Sequence, residues 1–276
     1  MPKVRKFKPK NALTTLDDEG IFKLKIKIIR KFLSAKQTIP NMCTATFYPT
    51  GDSDFIFTSN RDEAPGRATI PPQAYTEDGK SLFYPKDSVA GGTWIGSNKE
   101  LQRMVCLLNG GLVPHIPTGN YARSRGLVVK EVLTSGSGLD DLPDEALDGV
   151  EPFTLIQIDG GVTPKLAQLI WTGEEAIRAV LPWQTRIWSS TLLYTKEVKA
   201  KREQWFESWL DRDAEQDALS LQDFHHQAGD GDPQNDLIMD RSFVKTKSIS
   251  QVVRKGAQWQ FDYEDLSTGL KTHDIL

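Results

Sequence analysis

From residue 44 onward, short runs of β-branched and aromatic residues alternate with clusters of turn residues. Residues 44–48 and 55–58 read as strands. Pro49, Thr50, Gly51, Asp52 and Ser53 between them are turn chemistry. A hairpin centred near Gly51 and Asp52 puts Cys43 opposite Asn60, within two residues, and so brings Asn60, Arg61, Asp62 and Glu63 beside the Cys43 thiol. Residues 64–85 are rich in proline and glycine and read as a connection. Gly91 and Gly92 read as a tight turn entering a strand through Trp94. Residues 104–108 read as a buried strand ending at Asn109, Gly110 and Gly111.

Further along, Ser124 is the predicted N-cap of a helix through residue 133, with Leu127, Val128, Val132 and Leu133 apolar. Residues 153–158 and 165–171 are predicted strands joined across Asp159, Gly160 and Gly161. Residues 186–190 give another short strand. Thr195 opens the clearest helix, with Val198, Trp205, Phe206, Trp209 and Leu210 at helical spacing. Residues 219–228 follow as a shorter helix, and 245–253 and 259–263 close the chain as strands. Strands, two central helical regions and strands again predict a layered α+β domain.

Composition narrows the class. The chain has 276 residues, 38% apolar and 26% charged, as in a soluble globular protein. No apolar run approaches the 18 or more residues of a membrane helix, and no secretory leader is legible. Stable membrane insertion is therefore not expected. Cys43 and Cys106 suggest neither a disulfide framework nor a zinc site, so a reducing cytoplasm is the default and no metal or cofactor is expected. Cys106 sits in an apolar run and reads as core. The adjacent His225 and His226 read as a surface helix end rather than metal ligands. A net charge of −3 implies no nucleic-acid partner.

That mild total hides a break. Residues 1–41 hold 11 of the 34 Lys/Arg and 3 of the 37 Asp/Glu, a net +8, and the rest of the chain nets −11. The sign reverses just before Met42 and Cys43. We therefore divide the chain into a basic extension, 1–41, and a domain, 42–276. Three readings of the extension stay open: a basic arm, a propeptide cut to expose Cys43, and translation beginning at Met42. Its wealth of Lys, Ile, Phe, Leu and Asn, which A/T-rich codons specify, favours the last. The alternation over residues 22–28 also fits a strand.

A cysteine that begins a chain carries a thiol and a free amine on one residue. The amine serves as base, so no histidine is needed for acyl transfer. Arg61 is a candidate to lower the thiol pKa, and Asp62 to hold the ammonium form of the amine. Asn109 is a candidate donor to the oxyanion of a tetrahedral intermediate, with backbone N–H groups accessible at the glycines after it. The plain alternative is that a cysteine at a strand start is a small buried hydrophobe.

Met42, Cys43 and Thr44, then Asn60, Arg61, Asp62 and Glu63, resemble the NRDE family, which includes the transport and Golgi organisation protein 2 group. The segments around Trp94, Asn109, Ser124–Arg125–Gly126 and Trp188–Ser189–Ser190 look like family segments too. The resemblance covers 42–276. It implies a four-layer αββα N-terminal-nucleophile hydrolase fold, with two packed antiparallel sheets flanked by helices. It also implies kinship with cysteine acylases, with Cys43 as nucleophile, Arg61 and Asp62 as the second-strand pair and Asn109 as an oxyanion donor. Asn60, Glu63, Trp94 and Arg125 are implied as supporting or pocket residues. Ser189 and Ser190 stand where the acylases have a second Asn, and Lys247 where they have a late Arg. The leading expectation is an amidohydrolase cleaving a linear amide or acyl bond of a small molecule. The alternative is a non-catalytic haem- or lipid-handling protein on the same scaffold. Oligomeric state is not legible.

Overall fold

The structure is a computed structural model and describes residues 42–191, 195–212 and 215–276. The basic extension, including the strand read at 22–28, lies outside the described residues.

The first half of the chain gives β1 (Met42–Pro49), β2 (Phe55–Glu63), β3 (Thr69–Glu77), β4 (Lys80–Asp87), β5 (Ile95–Asn98), β6 (Arg103–Asn109) and α1 (Arg125–Thr134). There follow β7 (Phe153–Asp159), β8 (Lys165–Trp171), β9 (Ala176–Leu181) and β10 (Arg186–Ser189). The remainder is α2 (Lys196–Leu210), α3 (Ala218–Gln227), β11 (Lys245–Lys255), β12 (Gln258–Asp265) and β13 (Lys271–Ile275). The strands form two antiparallel sheets, ordered β10-β1-β2-β11-β12-β13 and β3-β4-β5-β6-β7-β8-β9.

Alternation along each strand sorts side chains to the two faces of a sheet. On β1, Ala45 and Phe47 join Phe55 and Phe57 of β2 in the core shared with Leu107 and Leu155 of the second sheet. The opposite face of the first sheet carries Tyr48 and Ile56, which pack on Phe206, Trp209 and Phe224 of α2 and α3. On the second sheet, α1 contributes Val128, Val129 and Val132, and its last turn is tied down by Asn98 Nδ2 donating to the Leu133 carbonyl at 2.9 Å. Helix, sheet, sheet, helix is the four-layer N-terminal-nucleophile arrangement.

The helices begin where their caps dictate. Ser124 caps α1 by accepting from the Gly126 N–H, Thr195 caps α2, and Asp217 with Ser220 forms a capping box on α3. On α2 the buried face is Arg202, Phe206 and Trp209, while Trp205 is half-buried.

Residues 64–85 are not a connection. They form the β3–β4 hairpin across Asp78 and Gly79, both at positive φ (49° and 74°), the geometry of a tight two-residue hairpin turn. Pro71 and Pro72 are tolerated because β3 is an edge strand, and the pairing slips between Ile70 and Gln73. Two further edge strands, β9 and β13, were not predicted. No described helix is long and apolar enough to cross a membrane.

Candidate active site

The β1–β2 hairpin turns symmetrically about Asp52, with Pro49 opposite Phe55 and Thr50 N–H bonded to the Asp54 carbonyl at 2.9 Å. Its register therefore sets Cys43 opposite Arg61, one residue beyond Asn60, and Met42 opposite Asp62. One residue of register moves every side chain to the other face. Arg61, not Asn60, shares the face of the thiol. Asp62 sits beside the peptide bond that precedes Cys43.

Cys43 lines a cleft of about 70 Å³ together with Arg61, Asp62, Trp94, Asn109 and Arg125. By this measure one water needs about 10–15 Å³, so the cleft has room for several water-sized groups, such as a reacting carbonyl and its substituents. Asn109 reaches it from the end of β6, in the second sheet. Its backbone carbonyl accepts from Ser190 Oγ. Its carboxamide makes no hydrogen bond among the described residues. The Gly110 N–H, which the sequence offered as a second oxyanion donor, is taken by the Pro152 carbonyl at 3.1 Å.

Arg61 is held on all sides. It donates to Glu63 at 3.2 Å, Asp87 at 3.0 Å and Thr69 at 3.2 Å, and its guanidinium stacks 4.2 Å above the Trp94 ring. Arg67 shares Asp87 at 2.7 Å, and Asp87 also accepts from the Val89 and Ala90 N–H groups, both at 2.9 Å. Asp87 and Arg67 were missed by the sequence reading. The turn chemistry around Asp87, followed by Gly91 and Gly92, was their available signal. Carboxylates close to a guanidinium offset its field. Burial, with the charge of Asp62, pushes the Cys43 thiol well above its ordinary value, and Arg61 lowers it only weakly. Glu63 is raised by burial despite Arg61.

Asp62 accepts from Thr246 Oγ1 at 2.6 Å, a partner the sequence reading also missed. Helix α1 presents Ser124, Arg125 and Gly126 to the cleft. It seats there because two glycines meet: a Cβ on Gly92 would lie 2.5 Å from the Gly126 carbonyl carbon.

Four of the expected pocket residues lie elsewhere. Asn60 points to the helix side of the first sheet, donating to the carbonyls of His225 (3.1 Å) and Leu237 (2.9 Å) and accepting from His225 Nδ1 at 2.7 Å. Ser189 and Ser190 line a neighbouring cavity of about 240 Å³ with Leu108, Ile170, Trp188 and Lys199. Lys247 donates to the Pro65 carbonyl at 3.0 Å and does not line the cleft. His225 is no surface residue. It is buried, bridging Asn60 to Thr46, and burial lowers its pKa to about 3. Cys106 is fully buried, its thiol pushed up to about 12 by burial.

Two packed antiparallel sheets between helices, with a cysteine at the head of the first strand, define an N-terminal-nucleophile-like protein. The chain belongs to the Transport and Golgi organisation 2 family, which matches residues 42–255. No curated protein matches it.

Proposed function

We propose that the domain from residue 43 onward is a cysteine amidohydrolase that cleaves a linear amide or acyl bond of a small molecule. The observation that carries this reading is that Cys43 lines one cleft with Asn109, whose carboxamide makes no hydrogen bond among the described residues. While residue 42 is attached, the Cys43 nitrogen is an amide and the thiol is held protonated. Release of the α-amine places a base next to the sulfur, with Asp62 beside it to stabilise the ammonium.

In the proposed sequence the amine takes the thiol proton and sulfur attacks the carbonyl carbon. The oxyanion is held by the Asn109 carboxamide. Collapse breaks the C–N bond, and the leaving amine takes the proton from the α-ammonium. Water, deprotonated by the same amine, then hydrolyses the thioester. Such a thiol needs a reducing compartment, which the cytoplasm supplies. The test is intact-mass analysis of protein from its native host together with a thiol-directed acylating reagent. A chain beginning at Cys43 and labelled there, not at Cys106, supports the mechanism. A native chain that retains residue 42 overturns it.

A second reading is a non-catalytic haem- or lipid-handling protein on the same scaffold. It predicts saturable haem or acyl-lipid binding that survives Cys43→Ser.

A further inference from the structure

The cations of the cleft are not equivalent. Arg61 and Arg67 lie between Glu63 and Asp87, which offset them. Arg125, the first residue of α1, has one carboxylate partner, Glu151 at 3.2 Å, and the Pro152 carbonyl at 3.4 Å. Glu151 is itself shared with His115 at 3.2 Å. Arg125 is half-buried, its side chain 14% exposed, and loss of surrounding water lowers its pKa even against Glu151. Arg125 and Cys43 line the same cleft.

Trp94 supplies an independent observation. It is 5% exposed and lines the same cleft, and its indole N–H is buried with no hydrogen-bond partner among the described residues. Buried donors are ordinarily paired, and an orphan in a cleft marks where a ligand acceptor belongs. The cleft also receives the N-terminus of α1, whose backbone dipole favours negative charge.

We infer that the substrate carries a carboxylate next to the bond that is cut, held by Arg125 and the Trp94 indole N–H at the N-terminus of α1. A guanidinium matches a carboxylate with two parallel donors. A phosphate dianion fits less well, because Asp62, Glu63 and Asp87 line the same small space and repel a second charge. The location of the cut bond rests on the amidohydrolase reading; the anion subsite does not.

The test uses the full chain carrying Cys43→Ser, titrated with N-acetylglycine, its methyl ester and phenyl phosphate. Calorimetry reads affinity, and indole nitrogen–proton spectra with Trp94→Phe for assignment read the tryptophan. The expected result is N-acetylglycine binding at least ~10-fold tighter than the ester and tighter than phenyl phosphate. The Trp94 indole resonance moves downfield only with the acid, and Arg125→Gln removes the preference. Equal affinity for acid and ester, no binding of the acid, or an unmoved Trp94 resonance overturns the inference, even if Arg125→Gln fails to fold. Tighter binding of phenyl phosphate reassigns the site to phosphate esters and overturns it too. Selective acid binding by a chain whose Cys43 is never acylated sinks the hydrolase reading alone. Hydrolysis of neutral amides as fast as acidic ones sinks the carboxylate alone.

Discussion

Both faces of the β1–β2 hairpin carry polar residues, yet the two sides differ in what the groups gathered there have left to offer. On the helix side, Thr44 accepts from Arg202, Thr46 meets His225, and Asn60 makes three hydrogen bonds. On the sheet-facing side, Cys43 shares a cleft with an Asn109 carboxamide and a Trp94 N–H that have no hydrogen-bond partner among the described residues. Polarity alone does not distinguish a strut from a site. Unsatisfied capacity in a shared cleft does, because a fully bonded group has nothing further to give a substrate.

The sharpest way to break this contrast is to remove one amide from each face. Asn109→Ala is expected to lower kcat by roughly 10²–10³, as for loss of an oxyanion donor, while changing unfolding free energy by about 1 kcal/mol or less. Steady-state kinetics and denaturant melts on the same preparation decide it. A large loss of stability with proportionate loss of activity would make Asn109 a strut. Asn60→Ala is expected to do the reverse. It leaves two buried carbonyls and the His225 Nδ1–H unpaired, costing about 3 kcal/mol or more of stability, with kcat of the surviving folded fraction nearly unchanged.

The third effect is spread over a pH range. Folded His225 stays neutral down to about pH 3, chiefly through burial and then the charges of His226 and Arg202. Unfolded, it takes a proton near its ordinary 6.5. Between these values the unfolded chain binds more protons, so stability is lost as pH falls from 6.5 towards 3. The contribution is up to about 1.4 kcal/mol per pH unit. Chemical denaturation at a series of pH values reads it, and His225→Gln should flatten that part of the curve.

The sequence disclosed the site's strands because Cys43 and Asn60–Glu63 lie on one local hairpin, whose register follows from loop length. The expected register was centred one residue from the observed one, inside its range of two, and alternation turned that residue into the difference between Arg61 and Asn60 facing the thiol. The β3–β4 hairpin was hidden by its prolines, although Asp78 and Gly79 carried a turn signal. Strands β9 and β13 are half-exposed edges with no continuous apolar run, so only their neighbours define them. Asp87, Arg67 and Thr246 reach the site from distant segments, and no local pattern announces such meetings. His225 was misjudged because adjacent histidines at a helix end look solvated until Asn60 is seen to cap that turn.

Cys43 belongs to one sheet and Asn109 to the other, and Ser190, just past β10, fastens the Asn109 carbonyl across the gap. The spacing of sulfur and amide is therefore governed by sandwich thickness, which the bulk of Phe57 and Leu155 in the shared interior sets. Evolution or an engineer could retune turnover from deep in the hydrocarbon filling, without touching any group that meets the substrate.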